Sequence, residues 1–336
     1  MATSAAPLEK PAPADMAALR GLVRDDLARV NDVIAEQVKS EISLISDVAT
    51  HLIAAGGKRL RPSLTLAAAT LCGYTGERHV RLAASVEFIH TATLLHDDVV
   101  DESALRRGEA TANAVWGNKA SVLVGDFLLS RAFQLMVADG SLDVLKILSD
   151  AAATISAAEV EQLMASHDLA ISQATYEKII GGKTATLFAA ACELGAVVSG
   201  KLQWREALHR YGYALGMAFQ MVDDALDYAA EQSELGKNLG DDFRDGKVTM
   251  PVLVAYQKAD AEEREFWQRT LESQSFAPED LATAKRLLAR HRAFEATLAR
   301  AETFARDAAA AIADFPESAA KAALLEAAAF TVQRGY

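Results

Sequence analysis

The stretch Leu94-Leu95-His96-Asp97-Asp98-Val99-Val100-Asp101-Glu102-Ser103-Ala104-Leu105-Arg106-Arg107-Gly108 decides how the chain reads. An apolar run ends in a carboxylate cluster, and two arginines follow. On a helix, Asp97 and Asp101 stand four residues apart, so their carboxylates leave one face about 6 Å apart along the axis. Like charges at that spacing repel, which points to a cation held between them. The plainer alternative is an acidic helix end in solvent. Oxygen-only ligands suit Mg²⁺, which takes one or two carboxylates and completes its shell with water and phosphate oxygens. The arginines then read as phosphate partners, because the guanidinium fork matches phosphate geometry.

The setting of this stretch is helical. Prolines stand at 7, 11, 13, 62, 251, 278 and 316, which leaves residues 63–250 free of them. An interior proline breaks a helix, so long uninterrupted helices explain the gap. Alanine abounds and no β-branched alternating run stands out, which predicts an all-α fold. At 336 residues and 51% hydrophobic the chain can bury a large core. Residues 1–14, with three prolines, are expected to be a disordered leader, and 15–336 a single all-α domain. A net charge of −12 argues against nucleic acid as a partner. The leader lacks the apolar core of a signal peptide, and no charge-free stretch is long enough for a transmembrane anchor. Cys72 and Cys192 form neither a disulfide framework nor a metal spacing. A reducing, cytoplasmic location follows, with peripheral membrane contact during product release left open.

Other motifs follow in order. Gly56-Gly57 closes the first helical region, and Lys58-Arg59-Leu60-Arg61-Pro62 opens the next helix. Cations ahead of a helix N-terminus suit an anion, although a basic loop can also serve solubility alone. Further helices are expected over 62–72, 77–101, 119–137, 141–170, 173–198 and 204–230, with 102–113 as a polar loop. Gly181-Gly182-Lys183-Thr184 falls inside one of them. Glu177 stands where a P-loop needs glycine, so this is no nucleotide loop. The pair marks either a tolerated packing site or a weak point that aims Lys183 and Thr184 at a cavity. Phe219-Gln220-Met221-Val222-Asp223-Asp224-Ala225-Leu226-Asp227 then repeats the opening pattern, and a loop carrying Lys237 and Lys247 follows it. Two such clusters with basic groups around them describe a site for Mg²⁺ ions and a diphosphate. No Ser/His/Asp or Cys/His nucleophile system is evident. Ionisation of a carbon–diphosphate bond needs none.

These motifs, in order from about residue 50 to 251, resemble those of the trans-isoprenyl diphosphate synthases. The resemblance rests on Gly57 to Pro62, Asp97 to Asp101, Arg106-Arg107-Gly108, Gly182-Lys183-Thr184, Phe219-Gln220 and Asp223 to Asp227. It implies antiparallel helices around a central cavity, and a homodimer. It also implies Mg²⁺-dependent condensation of an allylic diphosphate, such as farnesyl diphosphate, with isopentenyl diphosphate. Three ions are expected once substrate is bound. Carried over by position, Asp97, Asp101, Asp223 and Asp227 would hold metal, with Asp97, Asp101, Lys183 and Asp223 the catalytic set. Arg106, Lys183, Thr184, Gln220, Lys237 and Lys247 would contact the allylic diphosphate. Lys58, Arg61, His90 and Arg107 would hold isopentenyl diphosphate. Read alone, His90 is equally a packed core histidine.

Product length is argued on the same helix. Short-chain members carry aromatics four or five residues before the first aspartate, where this chain has Ala92 and Thr93. With Ile89 two turns up, small side chains there would leave a tunnel open, and Phe133 or Met136 on the next helix would set its floor. The pattern is similar to long-chain synthases that make quinone side chains, so a product of octaprenyl to decaprenyl length is expected. A farnesyl or geranylgeranyl diphosphate synthase is the alternative. An all-α HD-type metal phosphohydrolase would need histidines near Asp223, and none is adjacent. A class I terpene cyclase would mix Asn, Ser and Glu into its second metal motif, and a regulatory subunit would have lost aspartates.

Overall fold

The computed structural model describes residues 16–54, 59–106, 108–229 and 240–333. The expected leader and residues Lys58, Arg107 and Lys237 lie outside that set. The described chain is almost entirely helical. In order come α1 (Ala17–Gln37), α2 (Ser43–Ala54), α3 (Leu60–Leu71) and α4 (Arg78–Val100). After a small hairpin come α5 (Ala112–Trp116), α6 (Asn118–Asp139), α7 (Leu142–Ala165) and α8 (Gln173–Ile180). A π-helical turn (Gly181–Ala185) leads into α9 (Thr186–Val198), and α10 spans Arg205–Ala229. The rest is α11 (Asp241–Arg244), α12 (Met250–Lys258), α13 (Ala261–Trp267), α14 (Asp280–Arg290), α15 (Ala293–Ala311) and α16 (Ala319–Gln333).

The helix α9 sits at the centre. Every residue from Leu187 to Val198 is buried, the signature of a helix with no solvent face. Small side chains let its neighbours close in. A Cβ on Gly195 would stand 2.5 Å from the Ala68 carbonyl carbon on α3, and one on Gly212 of α10 would stand 2.3 Å from the Phe188 oxygen. The helix α10 packs on both α9 and α15 and joins two apolar cores. Its first half (Leu208, Tyr211, Leu215) belongs with α3, α4, α6 and α9. Its second half (Met217, Met221, Val222, Tyr228) belongs with α12, α14 and α15. Glu193, buried on α9, is held by Arg205 and by His209 Nδ1 at 2.9 Å, which fastens α9 to the start of α10.

Two regions depart from the expected helix-and-loop plan. The polar loop at 102–113 contains a hairpin, in which Leu105 pairs with Ala110 and Arg106 with Glu109. Gly108 takes φ +83° there, the left-handed value that a tight hairpin turn requires. The expected helix 173–198 is broken by the π turn at Gly181–Ala185. The hydroxyl of Thr186 donates to the Gly181 carbonyl oxygen at 3.0 Å, satisfying a group that the wider turn displaces from the α ladder.

The Gly212 contact generates a stability prediction. Alanine is the better helix former by about 1 kcal/mol. Its methyl would nevertheless meet α9 backbone at 2.3 Å. Overpacking of this kind costs about 1–3 kcal/mol, so Gly212→Ala is expected to lower the thermal unfolding midpoint, as read by circular dichroism.

Candidate active site

The opening stretch folds as the C-terminal end of α4, with Asp101 as its cap residue. The second aspartate cluster ends α10 in the same way. Carboxylates at helix C-termini oppose the helix dipole, so neither cluster is explained by local helix stability. Both face one cavity of about 730 Å³, lined by Asp97, Asp101, Asp223 and Asp227. Its wall also carries Arg61, His90, Thr93, Arg106, Lys183, Thr184, Gln220 and Lys247. The fold thus gathers every described residue assigned from sequence to metal or diphosphate, although the two clusters are 126 positions apart (223 − 97).

Two lysines stand among these carboxylates. Lys183, on the π turn, lies 3.8 Å from Asp97 Oδ2 and bonds Glu159 Oε2 and Gln162 Oε1 at 2.7 Å each. Lys247 bonds Asp101 Oδ2 at 2.9 Å and Asp245 Oδ2 at 3.1 Å. Burial lowers the tendency of Lys247 to hold its proton, yet Asp242, Asp101 and Asp245 outweigh it and push its pKa well above the ordinary value. Burial is also the main influence on Asp97, and with Glu159 and Asp101 beside it the carboxyl is pushed up to about 7, against the pull of Lys183 and Arg106. A carboxylate so disfavoured in its charged form is one that a nearby cation would stabilise.

The middle aspartates are buried and held by neighbouring side chains. Asp98 is 1% exposed and accepts two bonds from Arg106, at 2.9 Å from Nε and 2.7 Å from Nη2. The Asn113 amide donates to the Asp98 backbone oxygen at 3.0 Å, so the start of α5 is tied to the end of α4. Asp224 is 4% exposed and bonded by Gln220 and Tyr176. On the opposite wall Arg61 reaches His90 Nε2 at 3.1 Å and stacks over the Phe188 ring at 4.4 Å. Arg59 pairs with Glu87. This is a basic corner beside the N-terminus of α3, separate from the aspartates.

Residues assigned to product length divide. Thr93 is on the cavity wall. Ile89, Ala92 and Met136 are buried in the first core, behind the wall, whereas Phe133 is 38% exposed on the outer face of α6. Several site residues went unread in the sequence. Glu159 and Gln162 come from the last turns of α7, and Tyr176 from α8. Nothing in the sequence separates Glu159-x-x-Gln162 from a solvated helix face. Only the fold reveals it.

The donor set fits magnesium. On the acidic side it is all carboxylate oxygen. That suits an ion that keeps waters and shares its shell with a diphosphate.

A match to the Polyprenyl synthetase family covers residues 42–288. The chain belongs to this family. It is 44% identical over 314 residues to octaprenyl diphosphate synthase of Escherichia coli, which covers 93% of this chain and 97% of that protein. A polyprenyl synthase from Caulobacter crescentus, solved with calcium and isoprenyl diphosphate, superposes with a TM-score of 0.94 at 49% identity, covering 97% of this chain and 100% of that one. A decaprenyl diphosphate synthase from Rhodobacter capsulatus gives 0.91 at 49%, covering 96% and 100%. The protein is therefore a prenyltransferase of the all-α isoprenoid synthase fold, and this family is magnesium-dependent in general.

The Asp98–Arg106 pair generates a second prediction. Breaking a buried pair from one side costs about 3–5 kcal/mol. Arg106 keeps some solvent contact, so Asp98→Ala is expected at the lower end of that range in urea unfolding.

Proposed function

We propose that this chain is a long-chain all-trans polyprenyl diphosphate synthase. It extends an allylic diphosphate such as farnesyl diphosphate with successive isopentenyl diphosphates to octaprenyl to decaprenyl length, for a quinone side chain. The observation that carries this reading is the convergence of Asp97, Asp101, Asp223 and Asp227 with Lys183 and Lys247 on one cavity. Magnesium, three ions with substrate bound, would neutralise the diphosphate leaving group when held by these four aspartates.

The residues of the chain divide the remaining work. Lys183, Lys247, Arg106, Thr184 and Gln220 orient the allylic diphosphate, joined by Lys237. Arg61 and His90 hold isopentenyl diphosphate from the basic corner, and Lys58 and Arg107, outside the described residues, are assigned to the same diphosphate by sequence position. The allylic carbon–oxygen bond breaks and diphosphate leaves with the electron pair. The isopentenyl double bond then attacks the cation. Loss of a proton restores an allylic diphosphate one unit longer. Apolar lining (Leu94, Ile179, Ile180, Phe219, Leu226) excludes water from that cation.

Long-chain products are supported by the small side chain of Thr93 on the wall and by the similarity to octaprenyl and decaprenyl diphosphate synthases. Met136 stays a candidate floor. Phe133 faces outward with Val122, Leu123 and Val137 on α6, all 38% exposed or more, an apolar stripe that supports a homodimer through α6. By length and composition α6 would also pass as a membrane span. Its packing on α4 instead makes it a core helix with one apolar outer face. Two buried free thiols suit a cytoplasmic enzyme, with membrane contact reserved for product release.

Incubation with Mg²⁺, farnesyl diphosphate and radiolabelled isopentenyl diphosphate tests the activity, with dephosphorylated products resolved by thin-layer chromatography. Octaprenol to decaprenol is expected, and a farnesol or geranylgeraniol end product would refute the long-chain reading. Thr93→Tyr should shorten the product while leaving the first condensation largely intact. In light scattering the mass of two chains is expected, and Val137→Lys should shift it toward one.

A further inference from the structure

Tyr176 stands on α8, seven residues before Lys183, and is 3% exposed. Its hydroxyl donates to Asp224 Oδ2 at 2.5 Å. The other oxygen of Asp224, Oδ1, accepts from Gln220 Nε2 at 2.7 Å. The carbonyl Oε1 of Gln220 accepts in turn from Thr184 Oγ1 at 2.9 Å. One line of four side chains therefore runs from α8 through α10 to the π turn.

The donor and acceptor roles along this line are determined by chemistry. A carboxylate only accepts, so the NH₂ end of the Gln220 amide must face Asp224 and its carbonyl must face Thr184. An amide nitrogen carries two hydrogens. Asp224 takes one, and the other remains for the cavity that Gln220 lines. In the reverse orientation the amide carbonyl would face the Asp224 carboxylate, oxygen against oxygen, and its N–H groups would be turned toward Thr184. Tyr176 determines which orientation holds, because it fills the second oxygen of Asp224 and keeps that carboxylate from swinging to another donor.

The support of Tyr176 is independent of this line. Its neighbour Glu177 accepts two bonds from Arg300, each 2.9 Å, so α8 is fastened to α15 on its far side. Removing the Tyr176 hydroxyl alone leaves the ring packed and α8 docked.

We propose that Tyr176 is a positioning residue for the allylic diphosphate: acting through Asp224, it fixes the Gln220 amide so that an N–H faces the anion. This rests on the proposed reading that Gln220 and Thr184 contact the allylic diphosphate.

Initial rates of the full chain with Mg²⁺, farnesyl diphosphate and isopentenyl diphosphate test it. Tyr176→Phe is expected to raise KM for farnesyl diphosphate about tenfold, the equivalent of one lost hydrogen bond to a charged group. KM for isopentenyl diphosphate should stay within about twofold, the scatter of a site not touched. Gln220→Ala should raise the same KM, and the double variant should be no worse than Gln220→Ala alone. Asp224→Asn preserves shape and an acceptor for Tyr176 but turns an amide toward Gln220, and should reproduce the selective rise if Tyr176→Phe folds poorly. A Tyr176→Phe effect shared by both substrates, or additive with Gln220→Ala, overturns the positioning role, as does an Asp224→Asn enzyme with unchanged KM. An unchanged KM in Gln220→Ala overturns the reading of the allylic site itself.

Discussion

Repulsion among carboxylates confined in a cavity is the constraint around which the structure is arranged. Asp97 and Asp101 project from one helix end and Asp223 and Asp227 from another, and Glu159, Asp242 and Asp245 add to the same wall. Each sits where the dielectric is below that of water, so charge is felt at longer range. Among the described residues Lys183 and Lys247 stand in direct contact with this wall, each bonded to two side chains. Burial, with Glu159 and Asp101 beside it, pushes the Asp97 carboxyl up to about 7 against the pull of Lys183 and Arg106. A site left short of positive charge has affinity for more of it, and a magnesium–diphosphate complex brings cations and anion together. On the proposed reading the acidic wall would take the metal side of that complex, and Lys183, Lys247 and Arg106 the phosphate side.

The middle aspartate of each motif solves a different problem. Motif spacing presents three carboxylates, but a helix face accommodates two at i and i+4, and the residue after the first points about 100° away. In α4 that residue is Asp98, which turns inward and grips Arg106. In α10 it is Asp224, which turns inward and takes Gln220 and Tyr176. Both clusters therefore couple a carboxylate pair on the cavity to a buried carboxylate that holds a neighbouring cavity-lining side chain, Arg106 or Gln220. The symmetry follows from helix geometry, since any third aspartate beside the first must find buried donors or destabilise the helix.

Much of this was legible in the sequence because it is periodic or local. The proline-free span forecast long helices, and α3, α4, α6 and α10 lie within a few residues of their expected bounds. The aspartate motifs announced a polyanion site because two of them are hard to explain as solvated helix ends. What stayed hidden depended on contacts between helices. Glu159 and Gln162 read as an ordinary polar face until α7 was laid beside the π turn. The glycine pair at 181–182 could be read as packing or as a weak point, and it is both. A Cβ on Gly181 would stand 2.2 Å from the Tyr213 hydroxyl, and one on Gly182 would stand 2.7 Å from the Ala158 methyl. Phe133 was invisible as an outward-facing residue because α6 carries large apolar side chains on its outer face as well as toward the core.

That last case explains why one stretch can determine a catalytic site and leave its product length less determined. Metal and diphosphate contacts are set by charge, and charge is legible residue by residue. The product's tail meets only apolar side chains, whose identities are fixed as much by packing as by the tunnel. Thr93 is on the wall, but Ile89 and Ala92, on the same helix, are packed into the core behind it. Substitution at Thr93 therefore acts on the chain's path directly, whereas substitution at Ala92 must first displace α4 or its neighbours. On the proposed long-chain reading, length control would then be a property of how α4 and α6 pack.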